Sequence, residues 1–298
     1  MNETFALKNI TKTYGSHRAL DNVSLSGHRG QVIALLGENG AGKTTALRIL
    51  LGLLDPDSGE ADVLGMSSKT YGEQIRTRVG YVSEKPVLYE WMKVSEIGWF
   101  AGGFYPPGFQ QHYETLIRQF NLPPDRRIKQ LSKGMKAKVA LALAMAHQPD
   151  VLILDEPTSG LDPLVRYEFL ESMVEIAGED RTVILSSHQI AEVERVADSV
   201  AILRQGKLVA FDPLDDLKTV VQELTLTLED GVSACPTLPG TLISCKHEHR
   251  QWKMLVRGLP AHEIERLQDY DQIQHVATRT PNLEEIYVAY MQPQTLIL

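Results

Sequence analysis

The residues best suited to chemistry form one stretch, Gly37-Glu38-Asn39-Gly40-Ala41-Gly42-Lys43-Thr44-Thr45, which fits G-x-x-x-x-G-K-[ST]. That spelling suits a triphosphate. Phosphate oxygens need several donors at close range, and glycines let a loop curl until backbone N–H groups point inward. Gly37, Asn39, Gly40, Ala41, Gly42 and Thr45 belong to this cradle. A helix opening at Lys43 adds the positive end of its dipole. Lys43 brings a point charge to the β and γ phosphates, and the Thr44 hydroxyl is placed to ligate Mg²⁺. The competing reading, a glycine turn of chance spacing, does not account for the apolar run before it and the helical pattern after it.

Two acids end another apolar run, Val151-Leu152-Ile153-Leu154-Asp155-Glu156. Asp155 suits Mg²⁺, directly or through water, and Glu156 suits a general base that polarises the attacking water. Without the phosphate loop both would pass for surface charges. His188 follows the run Val183-Ile184-Leu185-Ser186-Ser187. A lone histidine there is more often a surface or capping residue, but near a γ phosphate it is a candidate for stabilising transition-state charge.

Elements must hold these groups together. Residues 32–36, 79–82, 151–154, 182–185 and 199–204 read as short, largely apolar strands. Residues 44–53, 135–147, 164–177 and 190–197 read as helices, and 55–60 as a loop. Wholly apolar strands alternating with helices describe an α/β fold, a mostly parallel sheet covered on both faces. In such sheets ligands bind at the C-terminal ends of the strands. Further strands are expected at 4–10 and 23–25, with a turn at Tyr14-Gly15-Ser16. Near residue 220 the texture changes. Residues 224–228 alternate strictly, 242–244 and 252–256 look like strands, and 261–267 and 283–291 look helical, with Asn282 as a cap. The domains expected are therefore 1–218 and 219–298, the second small and α+β.

The 298 residues carry a net charge of -8 and a pI near 5.6. An acidic surface argues against a nucleic-acid partner, whose grip rests on basic side chains. The start MNETFALKNI lacks the basic and apolar regions of a signal peptide. The apolar runs fall short of the roughly 20 residues that span a bilayer. A soluble, cytoplasmic chain is expected, with Cys235 and Cys245 as reduced thiols. Any work at a membrane would need a spanning subunit from another chain.

A further segment, Leu131-Ser132-Lys133-Gly134-Met135-Lys136, precedes a long helix. Ser132 can cap that helix and Gly134 permits close backbone approach. Alone it reads as an ordinary capped helix. Taken in order, Tyr14, the phosphate loop, Gly80-Tyr81-Val82-Ser83-Glu84, this segment, the acidic strand, Ser159-Gly160-Leu161-Asp162 and His188 resemble the motifs of ABC-type ATPases over residues 1–218. The resemblance implies a P-loop NTPase core with an antiparallel β edge subdomain and a helical subdomain. It implies that Tyr14 stacks on adenine and that ATP and Mg²⁺ are the ligands. It also implies that Ser132, Gly134 and Asp162 serve the site of a second, head-to-tail subunit, in a homodimer or in a heterodimer with a related ATPase. An integral-membrane permease is the implied partner, with this chain on the cytoplasmic face of the cell membrane. Two positions depart from the pattern. Glu84 stands where glutamine is usual, still able to ligate Mg²⁺, and LSKGMK replaces LSGGQ, similar to the bacterial ABC-2-type export subgroup.

The aromatic stretch 89–105 fits either subdomain core or, by resemblance, the seat of the permease's coupling helix. A soluble ABC ATPase acting on ribosomes or DNA would carry two nucleotide domains or a long inserted coiled coil. A small-molecule P-loop kinase would not need residues 131–134 or 159–162. In the tail, His247, Glu248 and His249 read as a solvated loop rather than a metal site, because adjacent strand residues face opposite ways.

Overall fold

The computed structural model describes residues 3–177, 181–229, 238–267 and 273–292. Cys235 lies outside them. The chain divides into two compact units, Met1–Phe211 and Asp212–Leu298. That division precedes the change of sequence texture near 220, because helix α8 (Leu214–Val220) packs against the following strand of the second unit.

In the first unit, β1 (Glu3–Tyr14) and β2 (His17–His28) form a long hairpin turning at Gly15-Ser16. β4 (Ser58–Val63) pairs with β1 and β5 (Met66–Ser67) with β4, so the sheet runs β2-β1-β4-β5 and its pairs are antiparallel. Residues 58–60, expected in a loop, are the start of β4. Their Ser-Gly-Glu composition hides a strand whose inward side chains are Ala61 and Val63.

The second sheet runs β10-β9-β3-β8-β7-β6. Its members are β3 (Val32–Leu36), β6 (Val79–Val82), β7 (Val151–Asp155), β8 (Thr182–Ser187), β9 (Ser199–Arg204) and β10 (Lys207–Pro213), and those from β9 to β6 pair in parallel. The period-2 alternation of strands decides what each face does. Ile33, Leu35, Ile153 and Ile184 join a core with α1 (Lys43–Leu50) and the inward residues Phe5, Leu7 and Ile10 of β1. Val32, Leu152, Leu154, Val183 and Leu185 face the other way, onto Leu141 of α5 (Lys133–Met145) and Phe169 of α6 (Pro163–Ala177). Both faces are covered, which is why β3 and the centres of β7, β8 and β9 are apolar.

Between β6 and β7 a helical subdomain packs α3 (Val94–Gly102) and α4 (Phe109–Gln119) against α5 around Tyr113, Val94 and Val139. Tyr113 is fully buried, and its hydroxyl donates to Val94 O at 2.8 Å. Two helices were not legible, α8 and one between β5 and β6. α2 (Ser68–Arg78) has few apolar residues and a kink at Tyr71, and only its Ser68 and Ile75 are buried. α7 (Ile190–Val196) joins β8 to β9.

The second unit is an antiparallel sheet of order β12-β13-β11-β14 with α8, α9 (Ala261–Leu267) and α10 (Leu283–Met291). Its core is built on Leu224 and Leu226 of β11 (Val221–Leu228) and Trp252 and Met254 of β13 (Gln251–Arg257). Asn282 does cap α10, its Oδ1 accepting from Glu285 N at 2.8 Å while Glu285 Oε2 accepts from Asn282 N at 2.9 Å. β14 (Ile273–Arg279) forms the edge beside β11. His247, expected in a loop, ends up on β12 (Thr241–Glu248) and stacks on Trp252, with ring centroids 4.4 Å apart.

Candidate active site

The glycine-rich loop leaves the C-terminal end of β3 and feeds α1. Gly40 (φ +84°) and Gly42 (φ +107°) hold the left-handed backbone that makes the turn. At Gly42 a Cβ would sit 2.4 Å from Ala19 O, so no larger residue fits there. Gly42 is also the N-cap of α1 and offers no side-chain cap. The N–H groups of the first turn therefore lack helical acceptors and point out of the helix as donors.

Lys43 is buried, and its Nζ donates to Gly37 O at 2.7 Å. The same ammonium lies 3.0 Å from Glu156 Oε1. This is an ion pair by distance without hydrogen-bond alignment, and Oε1 has no hydrogen-bond partner. Glu156 Oε2 is 2.7 Å from His188 Nδ1. The carboxylate thus sits between a cation and an imidazole, 7% exposed. A carboxylate held in this way can take a proton from a water beside it.

A left-handed backbone at Glu156 (φ +49°) breaks the alternation of β7 and points the side chain toward Lys43 and His188. For a residue other than glycine this conformation costs roughly 1–2 kcal/mol. Ser186 of β8 holds it in place. Glu156 N donates to Ser186 Oγ at 2.9 Å, and that hydroxyl donates to Asp155 Oδ1 at 2.6 Å. Asp155 is 2% exposed.

A cleft of about 450 Å³ opens over the loop. Residues 38–45 line it together with Tyr14, His17, Ala19, Glu84 and Glu156. Tyr14 is half exposed, with Lys12 Nζ 5.9 Å from its ring centroid. Asp57 braces this corner by accepting from Lys12 Nζ and Thr13 N. The hydrogen bond from Lys12 keeps the Asp57 carboxyl more acidic than usual. Glu84 stands exposed on the rim.

Among the sequence candidates, Gly37 is buried at the loop's start, and Asp155 and His188 do not line the cleft, Asp155 being buried beside Ser186 and His188 exposed against Glu156. Ser132, Gly134 and Asp162 do not line the cleft. Ser132 caps α5, its Oγ accepting from Met135 N at 3.2 Å. At Gly134 a Cβ would meet Val165 Cγ1 at 2.3 Å, so the start of α5 packs directly on α6. Sequence reasoning missed Ser186, whose only signal is a polar residue closing an apolar strand, and missed His17 and Ala19, which carry no signal.

These features fit a nucleotide triphosphate: unused helix N-terminal donors, a buried lysine and a carboxylate oxygen without a hydrogen bond. Among the described residues no three His, Cys, Asp or Glu gather as a metal cage. A divalent ion here would take phosphate oxygens among its ligands, as Mg²⁺ commonly does.

A family profile described as ABC transporter matches residues 20–159. The bacitracin transport ATP-binding protein BcrA of Bacillus licheniformis is 34% identical over 223 residues, covering 70% of this chain and 69% of that protein. The chain belongs to the ABC transporter family. As a member it carries the fold of an ATP-binding cassette. An ABC transporter ATP-binding protein of a Nostoc species is 39% identical over 207 residues, 67% of this chain. The cassette spans 61% of that relative, less than two thirds of its length. A solved structure of an ATP binding subunit of an ABC transporter superposes with a TM-score of 0.66 at 33% identity, covering 72% of this chain and 92% of that one. A dimeric cassette bound to ADP and Pi, 24% identical, shares the fold with a TM-score of 0.65, covering 70% of this chain and 98% of that one.

Proposed function

We propose that this cassette is the ATP-hydrolysing subunit of a membrane exporter and works as one of a pair. In this reading Tyr14 stacks on adenine, the N–H groups of residues 37–45 hold the phosphates, and Lys43 contacts the β and γ phosphates. Thr44, Asp155 and Glu84 hold Mg²⁺, which when bound offsets phosphate charge. Glu156 is the general base and His188 orients it. Ser132 and Gly134 complete the site of the second subunit, with Asp162 beside them, and ATP closes the pair. The partner is a second copy or a related ATPase, and no nucleic acid is involved.

One observation carries the proposal: Glu156 lies within 3.0 Å of Lys43 and 2.7 Å of His188 beside the phosphate loop. The absence of Ser132 and Gly134 from the cleft lining supports a site shared between chains. No helix among the described residues is long and apolar enough to cross a membrane. In this reading a permease supplies the spanning part and brings the cassette to the cytoplasmic face. The exposed Trp91, Trp99 and Phe104 of the helical subdomain support a docking surface for it, since tryptophan and phenylalanine enrich interface cores. Transport of bacitracin is named for one relative, which supports a transporter role. Residues 219–298 then act as an accessory or regulatory domain.

The test is twofold. MgATP turnover is measured for the wild type and Glu156→Gln, and membrane proteins co-purifying with the chain are identified. Equal turnover in both proteins would remove Glu156 from its role. Consistent recovery of a ribosome or DNA instead of a membrane protein would remove the transporter reading.

A further inference from the structure

Neither Glu192 nor Arg166 belongs to the motifs above, yet the two stand between the loop after β7 and the turn after β8. Glu192, in the first turn of α7, is 4% exposed. Its Oε2 accepts from Thr158 Oγ1 at 2.8 Å and from Ser187 Oγ at 3.1 Å. Its Oε1 lies 3.0 Å from Arg166 Nε of α6. The Arg166 guanidinium also donates to Leu161 O at 3.1 Å and to Gln189 Oε1.

These partners are not scattered. Ser187 and Gln189 flank His188, so the turn carrying the imidazole is clamped on both sides. Thr158 and Leu161 belong to the loop that leaves Glu156 for Asp162, so that loop is clamped at two points. Ser187 Oγ also accepts from Gln189 N at 3.0 Å, which closes the network. A single buried carboxylate and one planar guanidinium therefore fix two loops whose contact is the 2.7 Å approach of His188 to Glu156. Arginine suits this position because its planar fork donates to two acceptors in fixed geometry while its charge pairs with the Glu192 carboxylate by proximity, without a hydrogen bond between Nε and Oε1.

We infer that the Glu192–Arg166 pair is a positioning device for hydrolysis, setting the Glu156–His188 contact and the loop to Asp162 together without touching nucleotide. The inference rests on the proposed role of Glu156. Purified full-length chain is compared as wild type, Glu192→Gln, Arg166→Lys, Arg166→Met and Glu156→Gln. Steady-state ATP hydrolysis gives kcat and KM, calorimetry gives MgATP affinity, and thermal melting gives the folded fraction. Glu192→Gln keeps an oxygen for both hydroxyls but loses the charge pairing, and is expected to lower kcat about tenfold with MgATP affinity within twofold of wild type. Arg166→Lys is expected to fall less than Arg166→Met. If Arg166→Met does not fold, Glu192→Gln and Arg166→Lys carry the comparison.

Unchanged kcat in Glu192→Gln and Arg166→Lys would overturn the inference, as would a kcat loss matched by the loss of affinity or of folded protein. Glu156→Gln separates the two readings. Should it retain turnover, the role of Glu156 fails first. Should it lose turnover while the Glu192 and Arg166 variants keep theirs, only the positioning inference fails.

Discussion

Ser186 Oγ donates to Asp155 Oδ1 and accepts from Glu156 N, at 2.6 and 2.9 Å, so one hydroxyl holds two successive acids at the end of the neighbouring strand. The two acids end up in different surroundings as a result. Asp155 is turned inward and stays in the strand, while Glu156 swings through left-handed backbone toward Lys43.

Glu156→Gln is expected to bind MgATP with affinity within a few-fold of wild type and to lose turnover by about 10²–10⁴-fold, the usual contribution of a general base. Calorimetry beside a phosphate-release assay checks both halves. A variant that turned over normally would exclude the assignment.

Lys43→Ala removes the buried ammonium from the loop and is expected to weaken MgATP binding by roughly 10–100-fold, in line with charge-assisted hydrogen bonds of about 1.5–3 kcal/mol. Unchanged affinity in a calorimetric titration would count against the phosphate-loop assignment.

Ser132→Arg, made in the Glu156→Gln background, is expected to block ATP-driven pairing of the chains while leaving nucleotide binding to each intact. Size-exclusion runs with and without ATP read the outcome. A dimer that still formed on adding ATP would mean that residue 132 lies outside the shared site.

Gly134→Ala tests packing alone. Its Cβ would press on Val165, where backbone meets a branched side chain. Overpacking of this kind costs about 1–3 kcal/mol. The first unit should melt several degrees lower, and an unchanged melting temperature would show that α5 and α6 part easily.

Acid should weaken the second unit through Glu285. The Arg279 guanidinium, helped by Asn282 N–H, holds the Glu285 carboxyl down to about 2 from 4.5. A carboxyl more acidic in the folded state stabilises it above the ordinary value, and that contribution fades as pH falls from 4.5 toward 2. Glu285→Gln preserves the cap and should cost on the order of 1 kcal/mol at neutral pH, since the pair is partly exposed. Urea titrations of both proteins should converge near pH 2. A gap that stayed constant with pH would place the effect elsewhere.

Much of this was legible because the buried strands are written as unbroken apolar runs. β3 was read from residues 32–36 to the residue, and the phosphate loop from its glycines. Asn282 was legible as a cap because its neighbours supply the first-turn acids. What escaped notice depends on pairing rather than on local pattern. β4 becomes a strand only beside β1, and His247 lies on β12 because that strand pairs with β13, where Trp252 is its partner. The contact of His188 with Glu156 joins residues far apart in sequence, and no spacing rule could give it. The same holds for Glu192, which reads as a surface acid on a short helix and is buried among partners from three other segments.

Asp155 and Ser186 are partners in the parallel pairing of β7 with β8. The spacing of the acids is therefore encoded in strand alignment and not in loop length. Insertions in the connection between α6 and β8 leave that alignment untouched. One residue added inside either strand would bring Leu185 or Ser187 level with Asp155 and turn every later side chain to the opposite face. The alignment of Asp155 with Ser186 is thus indifferent to the length of that connection and sensitive to any change of length within β7 or β8.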